Sequence, residues 1–377
     1  MYTLKGKYTS ANVMLPEGIF ADESTTSQIY SFLNHPAFKG CYIAIMPDCH
    51  AGNGACVGFT MKINDYIIPA IVGVDIGCRV RTVRLSKSIP TNSRDKLDSL
   101  VRRTIPSGFN THKGNTSSGI GNLFDEKIKV YSKIAGGDIN RNINSIGSLG
   151  GGNHFIELGV DSNNKQWLTV HSGSRRFGLD IATYHQKRAV SHLRNNFIKD
   201  IPKGLEFLYE DTLYLEHMKF AQEFAKSNVD RILELLLKSI KIEFGNIYYD
   251  DDIESVHNYI GDDNIIRKGA VSAYKGERVV IPFNMEDGLI IGEGLGSSKW
   301  NNSAPHGAGR VMSRTRAKAL LNLDEAKEDM KSAGVYSSNI PLDEVKGAYK
   351  DKELILNAIH ETAKIIDFIR PIYNFKA

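Results

Sequence analysis

The sequence lacks the features that mark membrane-spanning, secreted and fibrous chains. No apolar run in its 377 residues approaches the ~20 residues of a membrane span. The N-terminal stretch MYTLKGKYTSANVML contains no signal-peptide hydrophobic region. With 41% hydrophobic and 24% charged residues, the composition is that of a globular protein. We therefore expect a cytoplasmic protein that binds no membrane, and the net charge of +4 permits a polyanionic partner without requiring one.

Cysteine is scarce, and all of it lies in the first quarter of the chain. The four residues are Cys41, Cys49, Cys56 and Cys78. They form no CxxC pair, which argues against a zinc ribbon. A disulfide framework confined to one quarter would add little to a chain of this size, so we expect free thiols or metal ligands.

The chain also lacks internal repeats, low-complexity segments and a Pro/Gly/Ser linker that would divide it. The pattern predicts strands at CYIAIM (41–46), ACVGFTMKI (55–63), YIIPAIVGVDIGC with RVRTVRL (66–85), LTVHSG (168–173), ERVVIPF (277–283) and LIIGEG (289–294). It predicts helices at 206–245, 309–323 and 352–369. This mixture, without regular βαβ alternation, predicts an α+β (complex mixed α/β) fold. We expect a single domain over 1–377, with central β-sheets flanked by helices and a helical insertion near 206–245.

The stretch IVGVDIGCRV (71–80) places a carboxylate and a thiol at the end of a predicted buried strand. Burying Asp75 and Cys78 together is costly unless something pairs with them. The pair is a structural accident, a redox site or one half of a metal site.

Four of the eleven histidines occupy unusual settings. His154 follows the glycine cluster GSLGGGN, His171 ends a predicted strand, His257 lies in ESVHNYI, and His306 opens HGAGR. An isolated histidine of this kind is ordinarily a hydrogen-bonded structural residue. Taken with the carboxylate and thiol of VDIGC, these imidazoles make a ligand set suited to Mn, Fe, Co or Zn.

Two glycine-containing motifs invite a phosphate-binding interpretation. GSLGGGNH lacks both the G-K-[ST] ending of a P-loop and GxGxxG spacing, so its pattern predicts only a turn before a strand. HSGSRR and HGAGRVMSR contain Arg175, Arg310 and Arg314, which could bind phosphates bidentately.

The motifs VDIGC, GGGNHFIEL, HSGSR, VHNY, RKGA and HGAGR occur in this order, after an early MPDCHAGNG segment. From about residue 40 to the C-terminus, the chain resembles the RtcB family of GTP-dependent 3′-phosphate RNA ligases, which splice tRNA and repair RNA. The resemblance implies a short, divergent member that joins RNA 2′,3′-cyclic phosphate or 3′-phosphate ends to 5′-hydroxyl ends. GTP and Mn²⁺ would be used, through a histidine-guanylate intermediate and an RNA-ppG activated end.

The resemblance also implies roles for individual residues. One Mn²⁺ would be held by Asp75, Cys78 and His154, and a second by Cys78, His171 and His257, with the Cys78 thiolate bridging. His306 would be the nucleophile that takes GMP. The residues implied to bind the guanylate are Asn153, Glu157, Asn258, Asn284, His306, Gly307, Ala308, Gly309, Tyr349 and Lys376. Those implied to meet RNA are Arg175, Arg310 and Arg314.

The chain departs from the family's pattern at several positions. Arg79 follows VDIGC where Gly is usual, Ile266 precedes RKGA where His is common, and Pro305 stands where Cys is common. IPFNMEDG (281–288) replaces an IPGSMG-like stretch. Three alternatives remain: a capping enzyme that stops after activating a 3′-phosphate, a non-catalytic RNA-binding relative, and a mononuclear metal hydrolase. RNA is the expected partner, an accessory activating protein could assist, and the sequence leaves the oligomeric state open.

Overall fold

The computed structural model describes residues 1–115 and 117–377, which form two main β-sheets with helices packed against them. The strands are β1 (Tyr2–Lys5), β2 (Ser10–Val13), β3 (Tyr42–His50), β4 (Val57–Lys62), β5 (Tyr66–Ile67), β6 (Arg79–Leu85), β7 (Phe155–Val160), β8 (Gln166–Ser172), β9 (Leu208–Tyr209), β10 (Tyr249–Val256), β11 (Tyr259–Ile260), β12 (Ile265–Lys268), β13 (Ala270–Ser272), β14 (Arg278–Pro282), β15 (Leu289–Gly294), β16 (Ser303–Pro305) and β17 (Ala363–Phe375). The helices are α1 (Glu23–Leu33), α2 (Pro69–Val72), α3 (Arg94–Thr104), α4 (Asn122–Ala135), α5 (Ile139–Ser145), α6 (Arg175–Asn195), α7 (Thr212–Phe244), α8 (Arg314–Leu320), α9 (Leu323–Ser332) and α10 (Lys352–Ile359). None of these described helices is both long and apolar enough to cross a membrane. The predicted α+β fold is confirmed.

The larger sheet has seven strands in the order β10-β6-β8-β7-β17-β15-β14, all antiparallel. The smaller has six, in the order β1-β2-β3-β4-β12-β11, with only β2 and β3 parallel. Several neighbouring strands, such as β6 and β10, β7 and β17, and β4 and β12, come from distant parts of the chain. The fold therefore gathers residues that are far apart in sequence.

Strand register in the larger sheet explains how one site can collect residues from four strands. His171 in β8 lies opposite Val80 of β6 and Phe155 of β7. Cys78 directly precedes β6, His154 directly precedes β7, and His257 directly follows β10. Because β10, β6, β8 and β7 are adjacent, these side chains meet at one end of four neighbouring strands.

Helix α7 supports this end of the sheet through a buried amide. Asn228 accepts hydrogen bonds from the backbone N–H groups of Gly147 and Ser148, at 2.8 and 3.1 Å. Its side-chain nitrogen donates to Ser172 Oγ and to Gly173 O, each at 3.0 Å. A fully buried polar group with all these bonds satisfied fixes the loops on either side of it. The loops that follow β8 and precede β7 are thereby held to one helix.

The prediction of a buried strand through residues 66–78 is wrong beyond Ile67. Pro69 opens the short helix α2, where its missing N–H costs nothing. Gly73 and Gly77 then adopt positive φ angles of 89° and 67°, which break extended structure. Asp75 therefore stands in a turn between α2 and β6, with Cys78 at its end.

The two C-terminal helix predictions are partly wrong. Within 309–323 the helix α8 spans only Arg314–Leu320, and α9 begins at Leu323. Within 352–369 the chain is helical only over Lys352–Ile359. From Ala363 the chain forms β17, which pairs with β15 and then with β7. The first half of β17 alternates between buried and more exposed residues, so its apolar residues follow strand rather than helix spacing.

The remaining sequence predictions agree with the structure in their main elements. The predicted strands at 41–46, 55–63, 79–85, 168–173, 277–283 and 289–294 correspond to β3, β4, β6, β8, β14 and β15. The predicted helix 206–245 is confirmed over Thr212–Phe244, after the short strand β9. All four cysteines are free of disulfide bonds, as expected, and all four are buried. The assignment of α7 as an insertion in one domain stays a prediction.

Candidate active site

Two triplets of side chains, which share Cys78, lie at the end of the larger sheet. The candidate ligand atoms of Asp75, Cys78 and His154 all lie within 4.8 Å of one another. The same holds for Cys78, His171 and His257. The Cys78 Sγ atom is 3.4 Å from His154 Nε2 and 3.2 Å from His171 Nε2. The structure thus brings together all five predicted metal ligands, with the thiol between the two groups.

The imidazoles of the site form a continuous row that reaches His306. Ring centroids are 5.3 Å apart between His154 and His171, 5.3 Å between His171 and His257, and 4.8 Å between His257 and His306. His154 Nδ1 bonds the Leu149 carbonyl at 2.9 Å, which directs its Nε2 toward Asp75 Oδ2, also at 2.9 Å. A backbone bond on one ring nitrogen is the usual way of orienting a metal-binding histidine.

The protonation states of the side chains in the two triplets favour the binding of cations. Burial lowers the pKa of His171 and His257 far below the usual value, and neighbouring histidines lower it further, so both rings are neutral. Burial and the Asp75 charge raise the pKa of the Cys78 thiol. Burial alone would raise the pKa of Asp75, but the hydrogen bond and charge of His154 bring it below the usual value. Neutral imidazoles and an ionised carboxylate can bind a metal ion without losing a proton. A bound cation would also ionise the thiol.

The turn that carries Asp75 and Cys78 is held from two sides. The Gly77 N–H donates to Asn258 O at 2.9 Å, and the His257 N–H donates to Cys78 O at 2.8 Å. A Cβ on Gly77 would lie 2.8 Å from the Gln222 Cα in α7, so this close approach requires glycine.

Arg79 points away from the site and binds the scaffold. Its guanidinium donates to Gly77 O at 3.2 Å, to Gln222 O at 2.9 Å and to Glu254 Oε2 at 3.1 Å. The residue is only 4% exposed. This departure from the family's pattern therefore ties β6, β10 and α7 together.

His306 is oriented by a carboxylate that the sequence analysis did not select. His306 Nδ1 lies 2.6 Å from Asp48 Oδ2, and the His306 backbone N–H donates to the same oxygen at 3.2 Å. Asp48 is fully buried in β3. Lys350 fixes the strand around it by donating to Pro47 O at 3.0 Å and Cys49 O at 2.5 Å. With Nδ1 engaged, Nε2 is the ring nitrogen left for chemistry.

A cavity opens beside the imidazole row, and it will be called the nucleotide cavity after the prediction that it binds guanylate. His171, His257 and His306 form part of its wall. All residues predicted to bind guanylate line it: Asn153, Glu157, Asn258, Asn284, His306, Gly307, Ala308, Gly309, Tyr349 and Lys376. Arg310 and Arg314 line it as well. Gly309 has a φ of 75° and no room for a Cβ beside the Asp48 backbone, so the HGAGR loop requires glycine there.

Glu157 is the unusual carboxylate of the nucleotide cavity. Burial raises its pKa to about 8, which the Asn374 hydrogen bond and the Lys376 charge offset only in part. Oε2 accepts a hydrogen bond from Asn374 at 2.8 Å. Oε1 is buried and has no partner among the residues that the structure describes. A buried acceptor without a donor is costly and indicates a ligand that supplies one.

A second unselected carboxylate, Glu344, joins several predicted residues. It is 1% exposed, accepts from Lys376 Nζ at 2.5 Å and from the Tyr349 hydroxyl at 2.7 Å, and pairs with Arg314. Arg310 lies 3.6 Å from it and stacks over the Tyr349 ring. Glu344 therefore sets the positions of four cavity-lining side chains.

The arginines predicted to meet RNA are already engaged to different degrees. Arg175 donates to Ser148 Oγ at 3.1 Å and Gly108 O at 2.9 Å, and it lies outside the nucleotide cavity. Arg314 pairs with Asp343 at 2.8 Å. Arg310 Nη2 is buried without a partner among the described residues, which leaves it a free donor at the cavity.

The other residues that depart from the family's pattern pack in a strand, cap a turn or pair between strands. Ile266 is buried in β12 opposite Met61. Asn284 Oδ1 caps the 283–288 turn by accepting from the Glu286 and Asp287 N–H groups, at 2.9 and 3.0 Å. Pro305 pairs with Ala270 between β16 and β13.

Asp48, Glu344 and Lys268 are the site residues that sequence reasoning missed. Asp48 and Lys268 sit inside motifs that were noticed, MPDCHAGNG and RKGA, but nothing in a motif shows which member faces a ligand. Lys268 lines the nucleotide cavity, and burial lowers its pKa to about 8. Glu344 lies in PLDEVKG, where no local pattern marks it.

A mixed α+β chain with a buried cysteine–histidine cluster opening onto an oriented histidine has the features of an enzyme. Comparison with known proteins names the family. The model for "tRNA-splicing ligase RtcB" matches residues 28–377, so the chain belongs to the RtcB family, a family of ligases.

Named relatives match along most of their length. RNA-splicing ligase RtcB of Escherichia coli K12 is 29% identical, over 95% of this chain and 95% of that protein. The tRNA-splicing ligases RtcB of Methanococcus maripaludis and Nanoarchaeum equitans are 26% and 25% identical. The alignments cover 93% and 88% of this chain, and 91% and 87% of those proteins, respectively.

Proposed function

We propose that this protein is an RNA ligase that joins 2′,3′-cyclic phosphate or 3′-phosphate ends to 5′-hydroxyl ends, in RNA repair or tRNA splicing. GTP would be consumed through guanylylated His306, and two Mn²⁺ would be bound per chain. Family membership supports the ligase class, and the site supports the mechanism. A cytoplasmic location and an accessory activating protein stay predictions.

The observation that carries the proposal is the pairing of His306, in the wall of the nucleotide cavity, with the buried Asp48 behind it. Asp48 Oδ2, 2.6 Å from Nδ1, holds the proton there, so Nε2 presents its lone pair. Nε2 attacks the α-phosphorus of GTP, a nitrogen–phosphorus bond forms, and the bond to pyrophosphate breaks. Asp48 stabilises the positive charge that develops on the ring, as a buried carboxylate does for a catalytic histidine.

Guanine recognition is supported by buried polar groups in the wall of the same cavity. The Glu157 Oε1 atom lacks a partner among the described residues. The N1–H and N2 amino groups of guanine are donors that would bind this carboxyl group and favour its ionised form. Lys376 bonds the Asn153 carbonyl at 3.3 Å, which keeps both residues at one end of the cavity. Adenine presents a different edge, with an acceptor at N1, so this arrangement favours guanine.

The two triplets fit divalent metal ions in number and chemistry. Asp75, Cys78 and His154 would hold one, Cys78, His171 and His257 the other, and Cys78 would bridge. When bound, such ions neutralise phosphate charge and align attacking and leaving oxygens. Thiolate and imidazole donors suit Mn²⁺ less than oxygen ligands would, so the assignment of Mn²⁺ rests on the family and not on the softness of the ligands.

The later steps transfer the guanylate and seal the RNA. A cyclic phosphate end is first opened by water to a 3′-phosphate. An oxygen of that 3′-phosphate then attacks the guanylate phosphorus, and the bond to His306 breaks to give RNA-ppG. Attack by the 5′-hydroxyl on the RNA phosphate finally expels GMP. Arg310 Nη2 and Lys268, both at the cavity, are the cations available to the phosphates.

The experiment that tests the proposal is covalent labelling with GTP. Protein incubated with Mn²⁺ and α-labelled GTP should retain acid-labile label. The label should disappear in His306→Ala and persist in His360→Ala, because His360 is an exposed histidine in the turn after α10. No label on the wild-type protein would contradict the proposal, and label persisting in His306→Ala would reject His306 as the nucleophile.

Supplying a 5′-hydroxyl strand separates ligation from capping, since a capping enzyme would accumulate activated ends without joining them.

A further inference from the structure

The excess positive charge of the chain is concentrated in the second half of helix α6 and the loop after it. Residues 184–203 contain five lysine and arginine residues and one aspartate, which gives this stretch a net charge of +4. The whole chain, with 47 Lys and Arg against 43 Asp and Glu, also has a net charge of +4. The charges of the other residues therefore cancel in sum. A basic surface confined to one place is typical of a binding site for a polyanion.

A surface groove lies along this part of α6 and will be called the α6 groove. Its second wall is the segment from β9 to the residue that precedes α7. It shares no lining residue with the nucleotide cavity. The lining residues that can meet a ligand through a charge, an aromatic ring or a hydrogen bond include Tyr184, Lys187, Ser191, His192, Asn195 and Tyr209.

Arg188 joins the two walls of the α6 groove. Its guanidinium donates to Asp211 Oδ1 at 3.1 Å and to Asp211 Oδ2 at 2.7 Å, and it also donates to Nδ1 of the buried His185 at 2.9 Å. Among the lining residues that the structure describes, Asp211 is the only acidic one. Because Arg188 neutralises this carboxylate, the charge that the groove presents to a ligand is positive.

Lys187 and Tyr209 present unpaired groups to the α6 groove. Lys187 is exposed and forms no ion pair or hydrogen bond with any residue that the structure describes. Tyr209 is 49% exposed, and its ring packs against Tyr66 of β5 with the ring centroids 5.5 Å apart. At the end of α6, Phe197 is 86% exposed. Exposed aromatic rings beside unpaired cations bind single-stranded nucleic acid, by stacking on bases and neutralising phosphates.

Helix α6 connects the α6 groove to the candidate metal site. The Ser174 N–H, directly before α6, donates to Asp75 Oδ1 at 3.2 Å. The groove residues between Tyr184 and Asn195 lie roughly 14–30 Å along the helix axis from Arg175, at ~1.5 Å per residue. A stacked strand advances by about 3.4 Å per nucleotide, so this distance corresponds to roughly four to nine nucleotides. One RNA strand can therefore reach the groove while its end lies at the site.

We propose that the α6 groove binds the body of the RNA substrate as a single strand, roughly four to nine nucleotides from the reacting end. Lys187 contacts a phosphate, and one base stacks on Tyr209. This rests on the proposed ligase function. No bond is made or broken in the groove, so its contribution is affinity for strands that are long enough to reach it.

The aromatic rings and the position of the groove favour RNA over other polyanions. Positive charge alone would also suit an acidic protein or an anionic membrane surface. Bases stack on an exposed ring such as that of Tyr209, whereas an acidic protein segment has no equivalent group in regular supply. The groove also lies on the helix that begins beside Asp75, which places it along the path of a strand that leaves the site.

The test compares short and long RNA strands in the sealing reaction with pre-formed RNA-ppG. The lengths of the 5′-hydroxyl strand and of the RNA-ppG strand are varied separately, with three or twenty nucleotides. Lys187→Ala and Tyr209→Ala should each raise the KM for the twenty-nucleotide strand roughly five- to tenfold in at least one series. The KM for three nucleotides should stay the same, because such a strand does not reach the groove.

Matched controls exist for both substitutions. Lys241→Ala removes another exposed helical lysine, and Tyr248→Ala removes a tyrosine that is 59% exposed. Neither residue lines the α6 groove or the nucleotide cavity. Both controls should behave as the wild-type protein does with either strand length. Tyr209→Trp should also retain the wild-type KM, because tryptophan stacks on a base as tyrosine does.

Direct binding separates the phosphate contact from the base contact. The affinity for a twenty-nucleotide single strand is measured by fluorescence anisotropy over a range of salt concentrations. Lys187→Ala should make the slope of log K against log salt less negative by about 0.7, the value for one phosphate contact on a single strand. Tyr209→Ala should weaken binding roughly tenfold and leave this slope unchanged.

Several results would overturn the assignment. The KM for the long strand could be equal in wild type and both groove variants in both series, which would exclude the groove as an RNA site. Tighter binding of polyglutamate or of phosphatidylserine vesicles than of RNA, lost in Lys187→Ala, would assign the groove to another partner. Failure of the wild-type protein to take label from GTP would reject the proposed mechanism, but the anisotropy series would still decide whether the groove binds RNA.

Discussion

The Nδ1 atom of His306 lies 2.6 Å from Oδ2 of Asp48, a residue 258 positions earlier in the chain. The carboxylate comes from β3 of the six-stranded sheet, and the imidazole follows β16. A buried carboxylate at this distance selects the ring tautomer with its proton on Nδ1. The pair therefore determines which nitrogen can act as a nucleophile.

Replacing Asp48 with Asn should slow guanylylation without weakening GTP binding. The amide retains the shape but removes the charge that stabilises the ring cation, and it permits the wrong tautomer. We expect the single-turnover labelling rate to fall by about 100-fold or more. Equilibrium binding of GTP should change by less than about twofold, because Asp48 does not line the nucleotide cavity. Equal losses of rate and affinity would instead indicate general disruption of the site.

Metal content should reveal that Cys78 serves both triplets. Cys78→Ser should lower the bound metal from two ions to less than one per chain, whereas His154→Ala or His257→Ala should each leave about one. Elemental analysis after dialysis measures this. Cys41→Ser is the control, because Cys41 is the least buried of the four thiols and belongs to neither triplet. One ion in the wild-type protein would support a mononuclear hydrolase.

Stability should depend on pH through Glu157. Its pKa in the folded protein is raised to about 8, so between the ordinary value of 4.5 and about 8 unfolding releases its proton. The stabilising contribution is present at low pH and is lost as the pH rises through this window. Glu157→Gln imitates the protonated form and does not titrate.

The measurement for Glu157 is the difference in unfolding free energy between variant and wild type in metal-free buffer. We expect this difference to shift in favour of Glu157→Gln by on the order of 2 kcal/mol between pH 5 and pH 8. A difference that stays constant with pH would show that the carboxyl group ionises normally.

Arg79 should contribute to stability and not to substrate binding. Arg79→Ala removes hydrogen bonds to the Gln222 carbonyl and to Glu254 and should cost roughly 1–3 kcal/mol in urea unfolding. Arg84→Ala removes a more exposed pair with Asp250 and should cost less than about 1 kcal/mol. The affinity for RNA should be the same in both variants. A selective loss of RNA affinity in Arg79→Ala would place the side chain at the substrate.

The local pattern of apolar and polar residues was sufficient to predict strands with clear boundaries and the long amphipathic helix α7. It was insufficient between residues 66 and 78, where an apolar run suggested one buried strand. There Pro69 and the positive φ of Gly73 end the strand and build a turn. Pattern also misassigned residues 363–369 to a helix, although their burial alternates as in a strand and they pair with β15.

The sequence by itself determined which residue types the site would use, because the order of its motifs marks the family. Those motifs selected Asp75, Cys78 and the histidines, but they contain no distances. Only the tertiary structure decided that the ligands converge, since convergence depends on β10, β6, β8 and β7 being neighbours. It also decided that Asp48 orients His306 and that Glu344 positions its four partners. These contacts join residues with no local relation in the chain, so their energies arise only when the sheets pack.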